Sequence, residues 1–321
     1  MCKYSNNLWT VGKNNLITYL RAMRHSFKEW VAVTRYWSFP VSVMPVLATF
    51  AWLFSRGMLP SGPLPYINLI LSILGVVLLH SAGNVLSDWY DHKTGVDNEK
   101  AFAVPNLVFH KFEPKEYKTF SAILFVAGII VGIVITILSG PYLLVAGGIG
   151  VLLTYMYSFL KYRALGDLDI FLIFGVLTVL GTTYALTGSY QPQALILSLP
   201  IGVITVSVLH ANNTYDMVTD KEAGIKTFAM LLGLPKSAAL YRCYMFIPFI
   251  CVAAYIVFGL MHPLAALCFV AAIPAWKNQK QASTYPQTGL EAMKGLDQAS
   301  AQMQLAFSGL LSVGLIVAGL L

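Results

Sequence analysis

The sequence predicts an all-α integral membrane protein with nine transmembrane helices, and three observations carry that prediction. The chain is 57% apolar and only 11% charged, with a mean hydropathy of +0.68, whereas an average soluble domain is about 25% charged. Nine apolar segments recur, at roughly 38–55, 66–87, 119–139, 141–160, 168–187, 194–214, 238–258, 263–276 and 302–321. All but the eighth have the length of a membrane crossing, and the eighth is short enough to be tilted or partly re-entrant. Every Lys and Arg except Arg56 falls on alternate connections, which places the N-terminus in the cytoplasm and the C-terminus outside. The net charge of +7 is accounted for by that topology, so no nucleic-acid partner is expected. Cys243, Cys251 and Cys268 lie in apolar segments and Cys2 stands alone, which implies neither a disulfide framework nor a thiolate metal site.

The whole chain, 1–321, reads as a single membrane domain. Residues 1–37 are expected to form a cytoplasmic arm, and residues 1–13 lack the apolar core of a cleavable signal peptide. Its segment from Asn15 to Trp37, with Leu16, Leu20, Phe27 and Trp30 beside Arg21, Arg24 and Lys28, reads as an interfacial amphipathic helix. Arg35 sits at the mouth of the first span, where a guanidinium reaches a phosphate.

The second span ends in Asn84-Val-Leu-Ser87-Asp88-Trp-Tyr-Asp91-His-Lys-Thr-Gly95-Val96-Asp97. Ionisable groups at the end of a span are costly unless paired, hydrated or bound to a cation, so they read first as a functional site. On a helix Asn84, Asp88 and Asp91 share one stripe, which His80 continues one turn deeper. Beyond them, 98–118 reads as a long polar loop. The fourth span ends with Tyr157 and Lys161 on one face and Arg163 just beyond, cations at the same water boundary as the carboxylates. Pro200 is expected to kink the sixth span, and His210, about 120° around the helix from Asp216 at 100° per residue, reads as a packed core histidine.

The sixth span closes with Asn212-Asn213-Thr-Tyr-Asp216-x3-Asp220-x3-Gly224-x-Lys226-Thr227, so Asn84-x3-Asp88 recurs as Asn212-x3-Asp216, 128 residues on. That recurrence suggests an internal four-helix duplication. The two cytoplasmic Asp-motif loops, 88–118 and 215–237, offer oxygen ligands only, which suit Mg²⁺ held by a few carboxylates and substrate phosphates.

The pieces Arg35-x2-Ser38-Phe39-Pro40, Asp91-x3-Gly95-Val96-Asp97, Lys161-Tyr-Arg163-Ala-Leu-Gly166-Asp167 and the second motif resemble the UbiA-type intramembrane prenyltransferases. Within that family the chain looks most like the 1,4-dihydroxy-2-naphthoate polyprenyltransferases of menaquinone synthesis. The resemblance implies nine helices around a central cavity, with Asp88, Asp91, Asp97, Asp216 and Asp220 toward Mg²⁺. Ser87 stands where the family usually has Asn four residues before the metal-binding Asp. The implied substrates are a polyprenyl diphosphate and an aromatic acceptor. Arg35, His80, Asn84, Ser87, Asn212 and Lys226 are expected to bind them, while Tyr157, Lys161 and Arg163 act on the leaving diphosphate and the allylic cation. Other prenyl acceptors of hydroxybenzoate, homogentisate or glycerol-phosphate type stay open. So does a secondary transporter, although transporter sites lie near the midplane and the span centres here carry no formal charge. The active site is expected on the cytoplasmic side, and the setting to be a bacterial inner membrane.

Overall fold

The computed structural model describes residues 25–96 and 105–321. Among them no strand forms, as lipid-exposed backbone requires. Eight helices are long and apolar enough to cross a membrane: α2 (Pro40–Ser55, preceded by a 3₁₀ turn), α3 (Leu64–Thr94), α4 (Pro114–Ser139), α5 (Leu143–Lys161), α6 (Gly166–Thr187), α7 (Ser198–Tyr215), α8 (Leu234–Val257) and α10 (Leu296–Leu320). The expected eighth segment is the exception. Its place is taken by a 3₁₀ stretch, Pro263–Ala271, running into α9 (Ala272–Ala282), so the described residues hold eight such helices and, at the segment expected to be tilted or partly re-entrant, one composite element.

Of the interfacial helix expected over 15–37, the described part is α1 (Phe27–Val33), capped by Ser26 and Glu29 in a reciprocal box. The 98–118 loop is shorter than expected, because residues 105–108 are helical and α4 starts at Pro114. Its proline at the first helical turn lacks only an N–H that has no intrahelical partner there. Phe112, Leu107 and Tyr117 bury themselves against Val33 and Val85 with Trp30 alongside, which fastens α1 to the start of α4. Pro200 produces no mid-span kink; it is the third residue of α7, after a 3₁₀ turn over Pro192–Leu197, where its missing N–H costs nothing.

Helix α7 is the hub of the bundle. In its span 72% of the residues are buried, against 17% for α4 and 11% for α5, so the last two present most of their surface to lipid. The main core joins α2, α7, α8 and α10 through residues such as Trp52, Ile201, Phe249 and Phe307. Gln304 on α10 donates to Thr205 on α7 at 2.8 Å, a buried polar contact of the kind that joins helices in lipid. α6 crosses α7 where Gly175 and Gly202 meet: a Cβ on either would lie 3.2 Å from the other's Cα. Within α6 the stretch Phe171–Leu177 is wound as a π-helix, a form that occurs mostly at functional sites.

Helix α3, with 31 residues, is about 46 Å long at 1.5 Å per residue, well beyond a hydrocarbon core of about 30 Å. Instead of ending near residue 87, it carries its carboxylates on helix past the apolar run. Gly95, at φ 79°, terminates it in the left-handed conformation.

Candidate active site

The ends of α3, α5 and α7 lie together at one end of the bundle, and each brings polar side chains to a common cavity of about 110 Å³. Arg35, His80, Asn84, Tyr157, Lys161 and Asn212 all line it, with Ile173 and Phe174 of the π-helical stretch as its apolar wall. Three of these lining side chains each hold a motif carboxylate. Arg35 is ion-paired with Asp88, Lys161 Nζ lies 3.7 Å from Asp91 Oδ2, and Asn212 Nδ2 donates to Asp216 Oδ2 at 2.8 Å. Asp220 completes the set; it is 2% exposed and lies within electrostatic range of Lys161. Lys161 thus stands between the two carboxylate groups and is itself only 8% exposed.

Local backbone explains this convergence. Arg35 adopts the left-handed conformation, φ 55°, a state costing a non-glycine residue of the order of 1 kcal/mol, and its ion pair with Asp88 offsets that strain. Just after α5, the loop 162–164 is stitched to the second motif: Lys226 N–H donates to the Tyr162 carbonyl at 3.2 Å, and Ala164 N–H to the Lys226 carbonyl at 2.8 Å. Those bonds set the Asp216–Asp220 segment beside Lys161. The Tyr162 hydroxyl donates to Asp91. Burial first, and then the Asp91 charge, push that hydroxyl's pKa up, so it keeps its proton for the carboxylate.

Asn84 donates to the Thr34 carbonyl at 3.1 Å, and the His80 ring sits between Ser42 Oγ (3.1 Å) and Ser38 Oγ (3.4 Å). Of the predicted stripe, His80 and Asn84 line the cavity, while Asp88 and Asp91 are held by the cavity-lining Arg35 and Lys161. His210 is the core histidine expected, bonded to Asp167 at 2.8 Å and to Ser237 Oγ at 2.8 Å.

Other predicted residues are placed elsewhere. Ser87 is buried in α3 and does not line the cavity. Arg163 is exposed, folded back on its own helix with its guanidinium 3.5 Å over the Phe159 ring, because the chain turns at Tyr162 and leaves it facing outward. Lys226 is also exposed and enters the site through its backbone alone. Asp97 lies outside the described residues. Two contributors went unnoticed in the sequence. One is Tyr162, which stands between two cations in the sequence, and the other is Asp297, which lines the cavity. A lone acid in the first turn of a long apolar helix was the available signal for Asp297.

Among the described residues no three His, Cys, Asp or Glu side chains converge on one point. Mg²⁺, however, is usually held by one or two carboxylates with water and substrate phosphates, and two oxygen-only carboxylate groups flanking one cavity fit that requirement.

Residues 30–294 match the model of the UbiA prenyltransferase family. The chain belongs to that family. It is 31% identical over 315 residues to the mouse UbiA prenyltransferase domain-containing protein 1, covering 93% of this chain and 87% of the relative. The human protein of that name gives 31%, 93% and 86%, and a Drosophila melanogaster homologue 31%, 77% and 69%. These are animal proteins and lend no support to a bacterial setting. Among solved structures, a UbiA homologue from Aeropyrum pernix superposes with a TM-score of 0.67 at 18% identity, covering 88% of this chain and 98% of that one. A UbiA homologue from Archaeoglobus fulgidus, bound to GPP and Mg²⁺, gives 0.62 at 14%, covering 91% and 98%. At such identities the likeness is one of fold, and the UbiA fold is all-helical as found here.

Proposed function

We propose that this chain transfers a polyprenyl group from an allylic diphosphate to an aromatic acceptor, with its active site on the cytoplasmic face of a membrane. The observation that carries the reading is Lys161, which lines a mostly apolar cavity and is buried beside Asp91, with Asp220 in electrostatic range. Family membership and the GPP and Mg²⁺ bound by the archaeal neighbour support it.

Asp88, Asp91, Asp216 and Asp220 are the residues that would hold Mg²⁺, with Asp97 as a further ligand. When bound, the metal neutralises the leaving diphosphate. Arg35 and Lys161 place two more positive charges where the diphosphate develops its negative charge, and fixed charges at that point lower the barrier most. Heterolysis of the C1–O bond sends the electron pair to diphosphate and leaves an allylic cation. The faces of Tyr157 and Phe174 line the cavity that receives it, and cation–π attraction is worth about 2 kcal/mol in a desolvated site. Attack by an electron-rich ring carbon forms the new C–C bond. With 1,4-dihydroxy-2-naphthoate, the acceptor we put first, CO₂ departs from the substituted carbon and leaves its bonding electrons to the ring, so that no base is needed there.

Mass analysis of products from the purified protein with a polyprenyl diphosphate, Mg²⁺ and a panel of acceptors tests the reading. A prenylated, decarboxylated naphthalenediol is expected. A product from a glycerol-phosphate acceptor alone would replace the acceptor class, and no prenylated product from any acceptor would overturn the proposal.

A further inference from the structure

Among the described residues, the charged and amide side chains that line the polar cavity are engaged, with one exception. Arg35, Lys161 and Asn212 each hold a motif carboxylate, and Asn84 donates to the Thr34 carbonyl. Asp297 is the exception, and among the described residues it is the one carboxylate that lines the cavity. Its oxygens form no hydrogen bond or ion pair with another described side chain, while the Arg35 charge lies in electrostatic range. An acid at a membrane-helix end that faces a cavity and is not paired there reads as a functional group.

Its placement follows from the packing of α10 on α7. Gln304 of α10 donates to Thr205 of α7, and the Tyr215 hydroxyl at the end of α7 donates to Glu291, just ahead of α10, at 3.4 Å. The two helices therefore run antiparallel. Asp297 lies seven residues before Gln304 and Asn212 seven after Thr205, so both stand about 10 Å from that contact at 1.5 Å per residue, at one level. Asp297 and Gln304 also share a helical stripe, so the carboxylate is turned toward α7 and the cavity. The first turn of α10 is fixed from the other side: Leu296 is fully buried, and Ser300 is bonded to the Tyr241 hydroxyl of α8 at 2.8 Å. The 3₁₀ turn Tyr36–Ser38 packs on α10 as well and brings the Trp37 indole to the cavity. A carboxylate and an aromatic face lining one cavity suit a flat hydroxylated ring.

We propose that Asp297 receives the acceptor: its carboxylate accepts a hydrogen bond from a ring hydroxyl and takes that proton as the ring attacks. This rests on the hydroxylated aromatic acceptor of the proposed function. As the proton passes to Asp297, the O–H electron pair moves into the ring, and the ring carbon bonds to C1 of the allylic cation, leaving a ring ketone. Loss of CO₂ from the substituted carbon returns its bonding electrons to the ring and makes that ketone an enolate. Asp297 then gives the proton back to the enolate oxygen and is a carboxylate again. No base acts on the substituted carbon, yet the ring is most electron-rich when attack begins. General-base help of this kind contributes about 10²–10⁴-fold.

Asp297→Asn in the full-length protein tests the proposal, with 1,4-dihydroxy-2-naphthoate and its two monomethyl ethers as acceptors. Each ether keeps the ring electron-rich and removes one O–H. The wild type should lose about a hundredfold in kcat/KM on the ether that blocks the bonded hydroxyl. Asp297→Asn should lose about as much on the parent acceptor, with donor KM within about twofold, thermal unfolding unchanged and the gap between parent and ether largely closed. Normal acceptor kinetics in Asp297→Asn, or an unchanged gap, would overturn the proposal. A loss that falls on donor or Mg²⁺ affinity instead would also overturn it and assign the carboxylate to the diphosphate end. So would full wild-type activity on both ethers, a result that needs no variant to fold. Wild-type prenylation of no hydroxylated aromatic acceptor would overturn the acceptor reading and this proposal together.

Discussion

Lys161 is the residue on which the site turns. It is buried 3.7 Å from Asp91, and removing one member of a buried charge pair strands the other, at a typical cost of 3–5 kcal/mol. Lys161→Met is therefore expected to lower the thermal unfolding temperature in detergent as well as to stop turnover; unchanged stability would show that Asp91 does not depend on it. The two carboxylates of the first motif should also separate. Asp88 is engaged by Arg35 from outside the motif, whereas Asp91 faces Lys161 and, through it, the second motif. Titrating Mg²⁺ against diphosphate release should show the larger loss of apparent affinity in Asp91→Asn than in Asp88→Asn, and the reverse order would move the metal site one turn deeper. The stripe of Asn84, Asp88 and Asp91 was legible because helical spacing is a property of sequence alone. Their partners were not: Arg35 lies 53 residues from Asp88 and Tyr162 lies 71 from Asp91, and only tertiary packing brings such pairs together.

At the scale of the element, eight of the nine apolar runs each fall on a helix long enough to cross, because lipid leaves no alternative to internal hydrogen bonding, although α3, α4 and α10 extend five to seven residues beyond their apolar runs. The π-helical winding of Phe171–Leu177 and the 3₁₀ start of the eighth segment were not legible, since both follow from how neighbouring helices press on them. Helix α1 is likewise held from outside. Lys111 sits 2.8 Å from Glu29 and, with the N–H and hydroxyl of Ser26, holds the Glu29 carboxyl at about 2 instead of 4.5. A depressed folded-state value means that this contribution to docking is present above pH about 4.5 and is lost as pH falls toward 2. Amide protection factors over residues 27–33, taken relative to the intrinsic exchange rate at each pH, should accordingly be high at neutral pH, fall below pH 4.5, and be lower at neutral pH in Glu29→Gln. Equal protection at pH 7 and pH 3 would remove Glu29 from the clamp.

For the whole molecule, sidedness follows from the cation pattern and the composite element Pro263–Ala282. If that element crosses, a reporter at Leu321 lies outside and one in the 105–113 segment lies inside; both on one side would mean that it re-enters without crossing. The proposed function requires two sequence-distant carboxylate groups to share one substrate. The most direct measurement of that claim is diphosphate release from a polyprenyl diphosphate in the presence of acceptor, with and without Mg²⁺, in the wild type and in Asp216→Asn and Asp220→Asn. The account predicts release that requires Mg²⁺ and falls by at least about a hundredfold in both variants while their thermal unfolding shows an intact fold; near-normal release in both would contradict it.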